Sequence, residues 1–124
     1  MNESVHTSES LRLWTLLAGN FIIGTGVLMP AGLLNEITAD LSITAARAGL
    51  LMLVGGVVVA VTAPLVAGLT SSIDRRRLLV FALTLYATGH LAAAMAPGFA
   101  WLAVIRAVTV VGAAIFTPQA AAAV

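Results

Sequence analysis

A chain of 124 residues with 60% hydrophobic and 9% charged side chains, a mean hydropathy of +1.07 and a net charge of +1 cannot solvate a globular surface, because soluble domains carry about 25% charged residues. The composition is that of a membrane protein whose first partner is the lipid bilayer. Near-neutral charge without a basic, aromatic-studded patch excludes a nucleic-acid partner. The lack of cysteine excludes disulfides and thiolate metal sites.

Residues 1–12 are polar and include Glu3 and Glu9. They lack the basic start and short apolar core of a secretory signal and read as a cytoplasmic tail ahead of a retained helix. A helix needs about 20 apolar residues to cross the hydrocarbon core at 1.5 Å per residue. Four windows meet this, at residues 13–34, 48–70, 78–96 and 99–121. Lipid cannot satisfy backbone polar groups, and no alternating barrel pattern is present, so each window is helical. The predicted fold is an all-α, polytopic transmembrane bundle, with residues 13–124 as a four-helix membrane domain.

In span one, Asn20 shares a face with Gly24, Val27 and Ala31. It suits either a substrate contact or an interhelical bond worth about 1 kcal/mol. In the loop that follows, Asp40 and Ser42-Ile43-Thr44 carry helix-start chemistry, so span two is expected to begin there. Span two carries Gly56, Ala60, Pro64 and Gly68 at four-residue spacing, a flat ridge for helix packing and, in a transporter, a sliding surface. Pro64 removes one helix hydrogen bond and bends the helix.

Asp74-Arg75-Arg76-Arg77 is the one dense charge run. Arginine-rich loops stay cytoplasmic, which sets the N-terminus inside and this loop inside. The expected location is the cell (inner) membrane, multi-pass. Taken alone, the run needs no role beyond that of a topological anchor near anionic lipid.

In span three His90 lies one turn beyond Tyr86. Without a carboxylate partner it reads as a neutral histidine bonded to Tyr86, a threonine or a backbone carbonyl, rather than as a proton relay. In span four Arg106 sits roughly 10 Å from the nearer interface at 1.5 Å per residue. An intramembrane charge costs several kcal/mol unless paired, hydrated or snorkelling, so Arg106 is the leading functional candidate. Thr109, Ala113 and Thr117 share its face. After Gln119 the span runs into Ala-Ala-Ala-Ala-Val with no polar flank. The chain is therefore expected either to end in the membrane or to be part of a longer one. No catalytic triad, carboxylate pair or metal cluster occurs in the spans, and no cofactor is expected.

Three stretches resemble the major facilitator superfamily, and most nearly its bacterial drug and sugar efflux proton antiporters of the arabinose-efflux-permease type. They are Gly24-Thr25-Gly26 through Pro30-Ala31-Gly32-Leu33-Leu34 with Ile37 and Ala39-Asp40-Leu41; Ala63-Pro64-Leu65 and Gly68 with Asp74-Arg75-Arg76-Arg77-Leu78-Leu79; and Arg106 followed by Gly112-Ala113-Ala114, Phe116 and Pro118. The middle stretch is similar to the loop signature G-x-x-x-D-R-x-G-R-R. Gly68, Arg76 and Arg77 match it. Ser72 stands at its Asp, Ile73 at its basic position and Arg75 at its second Gly, with Asp74 out of register.

The resemblance implies the first four of about twelve helices, alternating access by two six-helix halves, and efflux of a small organic molecule coupled to protons. Spans one and four would line the central cavity, bringing Asn20 and Arg106 toward it. Span two would face the other half, span three would be peripheral, and Gly68, Asp74, Arg76 and Arg77 would gate the cytoplasmic side. Val27 occupies a position where relatives often carry a membrane-embedded Glu. A self-contained four-helix exporter working as a dimer, or a non-transporting partner or remnant, is the alternative. Small exporters of that kind rely on a Glu in span one, and none lies between Arg12 and Leu34.

Overall fold

The computed structural model describes residues 2–70 and 72–121, with side chains described from Ser8 onward. The described residues form α1 (Asn2–Gly32), α2 (Leu34–Asp40), α3 (Ala45–Leu69), α4 (Arg75–Ala94) and α5 (Phe99–Ala121). Four of these helices, α1, α3, α4 and α5, are long and apolar enough to cross a membrane. The architecture is a helical membrane bundle, with no strand among the described residues. The alanine-rich end at residues 122–124 lies outside them.

Local chemistry sets the breaks. The Thr44 side chain accepts the Arg47 backbone N–H at 3.2 Å, capping α3, while the Asp74 carboxylate accepts that of Arg77 at 3.0 Å, capping α4. Between α2 and α3, Ser42 takes φ 51°, a left-handed turn that a non-glycine residue adopts at a cost. Pro97-Gly98 separates α4 from α5, and the Gly98 carbonyl accepts the Leu102 N–H.

Two boundaries differ from the sequence expectation. The polar tail is continuous with span one, so α1 extends back to Asn2; hydropathy marks where lipid begins, and helix propensity carries the helix beyond it. Residues 34–40, expected to close span one and enter a loop, form the separate helix α2 after a one-residue break at Leu33.

The bundle is organised around α5. Its residues Arg106, Thr109, Val110, Gly112 through Phe116 and Ala120 are buried, and its largest interfaces are with α4 and then α3. The facing residues are Ala48, Leu51 and Gly55 on α3 and Leu78, Ala82 and Tyr86 on α4. From α1, Gly19, Ile23 and Gly26 are buried. Backbones approach closely: a Cβ at Gly112 would stand 2.7 Å from the Ala82 carbonyl oxygen, and one at Gly19 2.5 Å from Phe116 Cζ. Most other large apolar side chains, Trp14, Phe21, Leu53 and Trp101 among them, point away from the bundle, as lipid-facing residues do.

Candidate functional site

At the end of the bundle that bears α2 and the Pro97-Gly98 turn, the helices part to leave a cavity of about 770 Å³. Arg106 and Thr109 lie among its lining residues with His90, and Glu36 and Asp40 of α2 contribute carboxylates. Arg106 is only 7% exposed. Its guanidinium points across the bundle rather than along α5, donating from Nη1 to the Gly26 carbonyl at 3.0 Å and from Nη2 to the Val27 carbonyl at 2.5 Å. Charge-assisted bonds of this kind contribute roughly 1.5–3 kcal/mol each. Gly55 of α3 lies against the other side of the guanidinium. The charge is thus solvated by backbone carbonyls of α1 instead of by snorkelling to the headgroups.

Beside it, the buried Tyr86 hydroxyl donates to the Ile23 carbonyl at 2.7 Å. His90 Nδ1 lies 2.9 Å from the Tyr86 carbonyl oxygen, which accepts from a protonated Nδ1, and the two rings sit 4.4 Å apart. Gly26 makes room for both rings: a Cβ there would collide with the Tyr86 hydroxyl and stand 2.8 Å from His90 Nε2. Thr109 packs against Gly89 of α4 and returns its hydroxyl to the Ile105 carbonyl at 2.7 Å.

Of the cavity and coupling candidates, Arg106 and His90, the latter on a span expected to be peripheral, line the same cavity, and Asn20 does not join them. Asn20 is exposed and lines a second cavity of about 430 Å³ with Gly24, Val27 and Thr117. The ridge of Gly56, Ala60, Pro64 and Gly68 lies on the exposed side of α3. Within this bundle it is not the packing face, and a Cβ added at Gly56 or Gly68 would meet nothing within 4 Å. Ala48, Leu51 and Gly55, displaced around the helix, make the contact with the other spans.

In the arginine loop, Asp74 is the α4 cap, and Arg76 and Arg77 are exposed. Arg75, read from sequence as part of the topological anchor and as a departure from the loop signature, is half-buried and donates from Nη2 to the Gln119 carbonyl of α5. The Gln119 amide donates to the Thr70 hydroxyl at 3.4 Å, so the ends of α3, α4 and α5 meet there. Sequence reasoning missed Arg75, Gln119 and Gly26 as contact residues. For Gly26 a signal existed, since it stands four residues before Pro30 in a helix that must keep its backbone satisfied in lipid.

Among the described residues, no three His, Cys, Asp or Glu side chains gather to hold a metal ion. No solved structure matches the chain. The uncharacterised MFS-type transporter YbcL of Bacillus subtilis (strain 168) is 33% identical over 108 residues, which are 87% of this chain and 28% of that protein. The chain therefore spans little more than a quarter of that relative's length. The family model for the Major Facilitator Superfamily matches residues 16–124. Four long apolar helices in one bundle, with that match over nearly all of the chain, settle its kinship: this chain belongs to the major facilitator superfamily.

Proposed function

We propose that the chain is the opening portion of a transporter that moves a small organic molecule across the inner membrane, by efflux coupled to protons. The observation that carries the reading is Arg106, a buried cation at the wall of a cavity lined from all five helices. An intramembrane charge held against a cavity is the usual mark of a substrate or ion pathway. Membership of a transporter family supports the general activity; efflux and proton coupling rest on the sequence resemblance to antiporters. A site of this fold lies between two repeats, so the remaining helices would complete it. The arginine loop faces the cytoplasm in this reading and the cavity opens toward the other side.

The test is Arg106→Ala in the complete natural chain, with transport measured in energised vesicles and insertion measured separately. Loss of two charge-assisted bonds, at roughly 1.5–3 kcal/mol each, predicts a fall in transport of about tenfold or more, since 1.4 kcal/mol is one decade. Undiminished transport in the variant removes Arg106 from the mechanism.

A further inference from the structure

Pro30 lies inside α1. In an α-helix the amide of residue i bonds the carbonyl of residue i−4, so a proline at 30 deprives the Gly26 carbonyl of its donor. In lipid such a vacancy must be refilled by a neighbouring group. The group that refills it here is Arg106, whose Nη1 bonds the Gly26 carbonyl while Nη2 takes that of Val27, the next along the chain. We propose that Arg106 is a positioning residue that replaces the amide hydrogen missing at Pro30, and so holds the Pro30 segment of α1 from α5.

Three further observations fit. The helix breaks at Leu33, one turn beyond the proline, so the segment held by this contact is the one that leads into α2 and walls the cavity. Residue 26 is a glycine on which Tyr86 and His90 close, so the α1 backbone is accessible to side chains of other helices at this point. One turn earlier the Tyr86 hydroxyl bonds the Ile23 carbonyl, so α4 and α5 both grip the α1 backbone between residues 23 and 27. At Pro64, by contrast, the carbonyl deprived by the same rule belongs to Ala60, on the exposed side of α3.

This inference goes beyond the proposed function, because a backbone role for Arg106 requires no substrate. Hydrogen exchange of the segment 27–36 is followed by mass spectrometry in the complete natural chain in nanodiscs, for wild type, R106M, P30A and P30A/R106M. Losing the substitute donor loosens the segment, so R106M should exchange about tenfold faster there than wild type. In P30A the alanine amide bonds Gly26 itself, so adding R106M should change exchange by less than about twofold. Equal acceleration of exchange by R106M in both backgrounds, or none in either, overturns the proposal. If R106M fails to insert, rescue of insertion by P30A supports the proposal. If the double variant also fails to insert, R106K is compared with P30A/R106K under the same two criteria. Transport is read in parallel. Transport retained in R106M removes Arg106 from the transport mechanism and leaves the exchange result intact.

Discussion

Two faces of this molecule are built from small residues, and they behave oppositely. On the inner face, Gly19, Gly26, Gly89 and Gly112 let α1, α4 and α5 approach until backbone and side-chain atoms touch. On α3, Gly56, Ala60, Pro64 and Gly68 form an equally regular stripe that is exposed, with open space around a Cβ added at Gly56. Small residues therefore mark where close approach is permitted, and only the surrounding helices decide where it occurs. In the transporter reading, this exposed side of α3 is the surface left for the other half.

The largest effect that would sharpen this contrast comes from placing the same bulky side chain on each face. Gly112→Leu drives a side chain into the Ala82 carbonyl and should cost about 3 kcal/mol or prevent folding, whereas Gly56→Leu should change unfolding by less than about 0.5 kcal/mol. Thermal unfolding in detergent compares the two; equal losses would erase the distinction between the faces. In the complete natural chain, Gly56→Leu should instead lower transport.

A smaller loss is expected from Tyr86→Phe, which deletes the hydroxyl bonded to the Ile23 carbonyl and should cost about 1 kcal/mol in the same assay. An unchanged midpoint would mean that α4 does not hold the α1 backbone. At the opposite end, Arg76→Ala with Arg77→Ala removes two exposed charges. Stability should shift by less than about 0.5 kcal/mol, while transport turnover falls more than insertion; a reporter fused after position 77 that changes sides would identify the pair as a topological anchor alone. The smallest effect is expected at Ser42→Gly, which relieves the left-handed backbone and should stabilise by up to about 1 kcal/mol. A loss there would show that the turn depends on the Ser42 side chain.

The spans and the cap of α3 were legible in the sequence because they depend on short-range rules, whereas Asp74 was not read as the cap of α4. Apolar length located α3, α4 and α5 to within three residues at their starts, and Thr44 stood where a cap was expected. The inward face of α5 was legible in part, since Thr109 and Ala113 are buried with Arg106, but that of α3 was not. Spans that are apolar all around show no stripe to distinguish protein from lipid, so Gly55 and Gly56 looked alike until α5 was in place against one of them. The partners of Arg106 were hidden for a different reason. They are main-chain carbonyls, and every residue has one, so no side-chain identity announces them. Arg75 was hidden in the same way, because its acceptor is the Gln119 carbonyl.

The central position of α5 has a consequence for biosynthesis. Ribosomes deliver α1, α3 and α4 to the membrane first, yet buried residues of each pack against the helix that emerges after them. Until Arg106 arrives, the carbonyl opposite Pro30 has no guanidinium to meet, and the α4 backbone at Ala82 has no Gly112 against which to close. Assembly of these four spans is accordingly posed as a collective step rather than a helix-by-helix accretion, with α5 serving as the template on which the three made before it settle.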